Sequence, residues 1–165
     1  MAFEFDLDQP EPVFVGPSDY VVDFTLGYDI DRGERVLMSV VLFKDDGGGD
    51  PHELAFGIRI QNVVIGVMSD YAFDHGTVQK YVPKGERRVV SLLVLASVRA
   101  LITQVSPKIV AMETFEADLP PPAMGKYMSV CNHMGILGYQ MIEYRRDGTD
   151  NKDYWLFTIP VVIEP

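Results

Sequence analysis

Two periodicities divide the chain. Leu54, Phe56, Ile58 and Ile60 alternate with Ala55, Gly57, Arg59 and Gln61, the period-2 pattern of a half-buried strand. Upstream, residues 20–27 and 34–43 are rich in Val, Leu and Phe around Asp29-Ile30-Asp31-Arg32-Gly33, which predicts a hairpin closed by turn residues. Residues 63–68 are continuously apolar and are expected to add a more central strand. The period then changes. Between Glu86 and Gln104 there is no Gly or Pro, and Arg88, Ser91, Arg99 and Thr103 form a narrow polar stripe at roughly helical spacing. So long an uninterrupted run exceeds a strand and predicts a buried helix, stopped at Ser106-Pro107. Residues 108–113 predict a short strand. Pro120-Pro121-Pro122 opens a second helix, along which Met124, Tyr127, Met128, Cys131 and Met134 recur at helical spacing and which Gly135 or Gly138 ends. Residues 139–144 and 154–159 predict a closing strand pair around a polar turn at 146–150.

The expected fold class is therefore α+β, with a mixed, mostly antiparallel sheet, two main helices and a strand–helix–strand crossover in the middle. Residues 1–19 are acidic and carry Pro10, Pro12 and Pro17, which predicts an extended arm with few regular hydrogen bonds. Residues 20–165 are expected to form one domain. Within it, Asp45-Asp46-Gly47-Gly48-Gly49-Asp50-Pro51 reads as an exposed, mobile loop.

Charge sharpens this picture. Residues 1–53 hold 13 Asp and Glu against 3 Lys and Arg, whereas residues 54–165 hold 11 of each, so the whole net charge of −10 arises in the N-terminal third. Residues 80–108 run the other way, with Lys80, Lys84, Arg87, Arg88, Arg99 and Lys108 against Glu86 alone. The global field disfavours direct duplex nucleic acid binding, while a local basic cluster leaves room for one small anion. The single Cys131 excludes an intramolecular disulfide and a cysteine-built zinc site, and the N-terminus lacks the basic and apolar regions of a secretory leader. No apolar run of about 18 residues is free of charge, so the expectation is a cytoplasmic protein without membrane contact, and homo-oligomers are left open.

The segment Pro83-Lys84-Gly85-Glu86-Arg87-Arg88 reads in two ways. It is the mouth of an anion site at a helix N-terminus, where orphan N–H groups and about half a positive charge are exposed, or it is a solvated first turn facing the acidic third. Metal is not expected: Asp29, Asp31 and Glu34, like Asp45, Asp46 and Asp50, lack the twelve-residue calcium-loop order, and Cys131 and His133 point to different helix faces. No nucleophile-elbow sequence surrounds Ser91 or Cys131.

Over residues 54–160, the order of elements resembles the fold of the GNAT-like N-acetyltransferases. There a strand leads through a pyrophosphate-binding turn into a long helix, then a strand, a helix near the acyl chain and a closing strand pair. "VPKGERRVVS" is similar to that turn, and "MGKYMSVCNHMGILGYQMIEY" places Tyr127 in the second helix and Gly138-Tyr139 before the next strand. The resemblance implies an acyl-CoA such as acetyl-CoA as cofactor, with Lys84, Gly85, Arg87, Arg88 and Ser91 at its pyrophosphate. It implies Glu113 or Glu116 as the base that deprotonates an amine, and Tyr127 as the acid that reprotonates the thiolate. Counting from Arg88, however, Ser91 and Leu93 stand where the family has small residues, and a backbone touching pyrophosphate wants glycine there. The first expectation is therefore a non-enzymatic binding protein on a degenerate GNAT-like fold, engaging a basic protein partner through Asp45, Asp46, Asp50 and the acidic N-terminal surface. The alternative is an acyl-CoA-dependent N-acyltransferase.

Overall fold

The β-branched and aromatic runs build a three-stranded meander. Strand β3 (Asp19–Asp29) pairs antiparallel with β4 (Glu34–Phe43), and β4 with β5 (His52–Asn62) along its whole length. The computed structural model describes residues 3–45, 47 and 49–161. Alternation splits the meander into two faces. Val22, Phe24, Met38, Val40, Leu54 and Ile58 enter the core. Asp23, Ser39 and Arg59 share the other face, where Arg59 donates to Asp23 at 2.6 Å and to Ser39 at 3.1 Å. Arg59 also lies 4.7 Å from the centre of the Tyr71 ring. Three strands are thus tied by one charge-assisted cluster shielded from water.

The arm is docked, contrary to the expectation of few regular hydrogen bonds. Strands β1 (Phe3–Phe5) and β2 (Phe14–Val15) both pair antiparallel with β3, and Asp6 and Asp8 donate their backbone N–H groups to Leu26 and Thr25. The signal is a period of two: Phe3, Phe5 and Leu7 pack on the core while Glu4, Asp6 and Asp8 face solvent. Gly27 permits the contact, since a Cβ there would lie 2.1 Å from the Glu4 carbonyl oxygen. The outward carboxylates also protect a sheet edge from adventitious pairing.

Residues 63–68 do not form a central strand. They are the exposed turn after β5, with Val64 at 84% and Ile65 at 69% exposure. Turn hydrogen bonds decide the outcome: the Asn62 side chain accepts from Val64 and Ile65, and Gly66 takes φ +69°. The chain then returns along β5. Ile58 and Ala72 exchange two backbone hydrogen bonds of 2.8 Å, and Ser69 donates to Ile60. Because β4 occupies one edge of β5, this strap, residues 68–72, occupies the other.

A short helix that the sequence reading did not anticipate, α1 (His75–Tyr81), is capped by the Asp74 carboxylate on Thr77 N–H at 2.7 Å. The long helix α2 (Arg87–Val105) follows a 3-10 turn at Lys84–Glu86 and ends in left-handed Ser106. Its inner face, including Val90, Val94, Val98 and Leu101, is buried, while Val89 and Leu92 are exposed, so α2 is half-buried rather than enclosed. By length and composition Lys84–Val105 could cross a membrane; here it lies across β3 and β4.

Strand β6 (Ile109–Glu113), helix α3 (Pro121–Ile136), and strands β7 (Gln140–Arg146) and β8 (Asp153–Thr158) complete an α+β layer. The sheet is mixed and mostly antiparallel, in the order β1-β3-β4-β5-β6-β8-β7 with β2 also on β3, and α2 and α3 are its main helices. The parallel β5–β6 pair is confined to His52 with Val110 and Glu53 with Ala111.

Replacing Arg59 with Met leaves the half-buried Asp23 with only its Ser39 hydrogen bond and should lower stability by about 1–2 kcal/mol. Urea unfolding measures this, and an unchanged midpoint contradicts the assigned role.

Candidate functional site

The place where β5 and β6 part is the origin of the site. Beyond Glu53 the strap takes the edge of β5, so β6 diverges and a gap opens between the strands. Aromatic rings fill its floor: Phe73 stacks on Phe115 with centroids 4.3 Å apart, and Tyr127 contacts Phe56 at 5.1 Å and stacks on Trp155 at 5.7 Å. Gly57 lets the strap approach, because a Cβ there would lie 2.6 Å from the Ala72 carbonyl oxygen.

Both crossover helices begin above this gap, since each follows a strand of the parallel pair. In an open sheet of this kind the carboxyl ends of parallel strands are where ligands gather. A narrow apolar cavity of about 60 Å³ lies among Phe56, Phe73, Phe115, Val94, Leu119 and Tyr127. It shares His75, Arg87, Ser91, Lys126 and Ser129 with a wider polar basin of about 250 Å³, which is completed by Arg88, Pro122 and Gly125. The start of α2 and the outer face of the first turns of α3 therefore form the basin wall, and the uncapped N-terminus of α2 adds positive potential, whereas α3 opens on Pro121 and Pro122, which carry no N–H.

The charges are arranged against their own electrostatics. Arg87 and Lys126 share the basin, and among the described residues neither carries an ion pair. Burial, with Arg87 nearby, pulls the Lys126 ammonium below the usual lysine range. Burial and Lys126 likewise lower the His75 imidazole, outweighing the opposing pull of Glu116. Glu116 lines the cavity but its carboxylate accepts the His75 backbone N–H at 3.2 Å. Burial raises the Tyr127 hydroxyl, against a weaker opposing effect of the Phe115 backbone N–H, so it stays protonated at neutral pH.

Of the residues singled out in the sequence, Arg87, Arg88, Ser91, Glu116 and Tyr127 come together. Lys84 and Gly85 are exposed on the preceding 3-10 turn and line neither cavity nor basin. Glu113 lies elsewhere: with Asp45, Lys44, Glu53 and Tyr154 it lines a separate depression of about 320 Å³. Burial, then Glu113, raises the Glu53 carboxyl. Asp50 is engaged by the His52 ring at 3.1 Å, and Asp46 falls outside the described residues. Cys131 is a core residue whose thiol burial pushes up to about 11, which removes it as a nucleophile.

Lys126 and His75 were missed. The signal for Lys126 was the face Pro122, Lys126 and Ser129 of the second helix, one turn apart. His75 carried no such signal, because α1 lies in a connection too short in periodicity to predict.

The depressed Lys126 sets a pH dependence. Its folded-state pKa lies below the unfolded one, so between the two the unfolded chain binds more protons and stability rises with pH. Relative to Lys126→Met, the wild type should gain stability as pH climbs through the interval just below 10.5. Thermal unfolding of both proteins across that interval tests it, and a constant difference rejects it.

In comparisons of sequence and fold, no protein family, characterised protein or solved structure matches this chain.

Proposed function

We propose that this chain is a binding protein on a degenerate GNAT-like scaffold that takes a small amphipathic anion, of the short-chain acyl-CoA class, between α2 and α3. The observation that carries this reading is the union of an apolar cavity with a basin holding Arg87 and Lys126 without carboxylate partners. Like charges held together under partial burial cost stability, and a phosphate dianion relieves that cost where water does not. A narrow apolar cavity of about 60 Å³ leaves room for a short acyl group. The strand order, the single parallel pair and a helix after each of its strands support the GNAT-like comparison.

Binding is favoured over acyl transfer because the implied catalytic set is divided. Tyr127 lines the cavity as a proton donor, but Glu116 is held by the His75 N–H and Glu113 opens into a different depression. A general base must reach the proton it removes: Glu113 lies outside the site, and Glu116, which shares the cavity with Tyr127, is already engaged as the acceptor of the His75 N–H.

A second reading rests on a different surface. Asp45, Glu53 and Glu113 converge in the depression beside Tyr154, and Glu4, Asp6 and Asp8 face outward along the arm. This acidity supports docking of a basic protein segment, which it would steer electrostatically.

Calorimetry with acetyl-CoA tests the first reading. The wild type should bind, and Arg87→Ala/Lys126→Ala should weaken affinity about 10- to 100-fold through loss of two charge-assisted contacts. An absence of heat with the wild type overturns it. Salt-sensitive binding of an oligolysine peptide that Glu53→Gln/Glu113→Gln abolishes supports the second reading, and indifference to those changes rejects it.

A further inference from the structure

The sheet ends on β7 (Gln140–Arg146), the last strand in the order, and every residue of that strand is exposed. Among the described residues nothing pairs with its outer edge. That edge carries charges and a bulge near its start, but no Pro and no Lys. Apolar side chains gather beside it, with Ile136 at the end of α3 79% exposed and Met141, Ile142 and Tyr144 also open to solvent.

We infer that this edge pairs antiparallel with β7 of a second copy, joining two sheets into one across a two-fold axis. The choice of a second copy rests on charge complementarity. In a continuous antiparallel sheet, partners directly opposite share a face, so a two-fold axis through the strand must pass through a residue rather than between residues. The only bulge in the β7–β8 pairing lies between Met141 and Glu143, which leaves Glu143 to Arg146 as the regular part of the strand. An axis at Glu143 opposes Glu143 to itself, and an axis at Arg145 or Arg146 opposes an arginine to itself. An axis at Tyr144 instead places Glu143 opposite the second copy's Arg145, twice by symmetry.

Within one chain Glu143 and Arg145 already approach to 3.6 Å on the same face, and Arg145 lies over the Tyr154 ring at 4.5 Å. Both side chains are thus presented outward and aligned before association. Tyr144 occupies the opposite face, its hydroxyl fixed on Asp153 at 2.7 Å and its ring 5.8 Å from Trp155. A rigid strand loses little entropy on pairing. The contact is isologous and closes on itself, so it yields a dimer and not a fibre.

Sedimentation of the full chain over a concentration series tests the inference. The wild type should dimerise. Glu143→Arg and Arg145→Glu should each weaken self-association about tenfold or more, since each creates two like-charge oppositions. The combined variant Glu143→Arg/Arg145→Glu, which restores the opposite pairs in swapped positions, should recover the dimer. Circular dichroism of all variants confirms folding. A wild type that stays monomeric throughout, single variants that associate as the wild type does, or a combined variant that fails to recover would each overturn it.

Discussion

The rest of the structure depends on one competition for hydrogen bonds, at the outer edge of β5. A parallel partner and the returning strap both satisfy the same row of backbone groups, and each can have only part of it. The partner strand β6 takes the first two positions, at His52 and Glu53, and the strap takes the edge from Ile58 onward. Parallel ladders are slightly weaker per residue than antiparallel ones, and the strap is antiparallel and close in sequence, so its closure entropy is small. The division leaves β6 free to diverge, and the divergence makes the cavity. Gly57 and the Phe73–Phe115 stack are the local adjustments that make the split tolerable, one by admitting the strap and the other by sealing the floor.

Above the split, the same geometry sets the electrostatics. Two strands that leave a sheet in the same direction send their helices back from the same side, and so bring two helix N-termini together. The free N–H groups at the start of α2 make that region positive, while α3 opens on prolines that have none to offer. The sequence then adds Arg87 at the first position of α2, where an acidic residue would stabilise the helix end, and Lys126 in the second turn of α3, and neither helix has an acidic residue in its first turn or a side-chain cap. The fold forgoes local stability at this one place while capping α1, only a few residues away, through Asp74. Forgone stability confined to a cavity is the pattern of a site shaped for a ligand.

The sequence made the regular layers legible and left the connections opaque. Long periodic runs such as those of β4, β5 and α2 announce themselves, because their burial requires one period throughout. The 63–68 run misled because apolar composition was taken for burial, whereas Asn62 and Gly66 impose a turn that composition does not encode. The arm misled in the opposite sense: its prolines suggested a loose segment, yet Phe3, Phe5 and Leu7 alternate with acids in the signature of an edge strand. Half of the site was readable as a basic helix start. The other half, Lys126 and His75, needed the crossing of two distant segments, which only the strand order determines. Glu113 and Glu116, three residues apart, were grouped by sequence and divided by the pleat and the turn after β6.

A chain of net charge −10 can hold a cationic site only if its acid is kept at a distance, and the sheet order provides that. Glu4, Asp6 and Asp8 lie on or just after β1, three strands from β5 in the order β1-β3-β4-β5. At about 4.8 Å per strand the separation is roughly 14 Å before the rise to the helix layer is added. The Debye length at physiological ionic strength is about 8 Å, so the arm barely lowers the potential in the basin. Nearer acids are occupied: Asp23 is held by Arg59 and Glu11 by Arg35. The field in the basin is therefore set mainly by Arg87, Arg88, Lys126 and the start of α2, with Glu116 in the adjoining cavity opposing them. Through the strand order, the segregation of acid and base along the sequence becomes a separation in space.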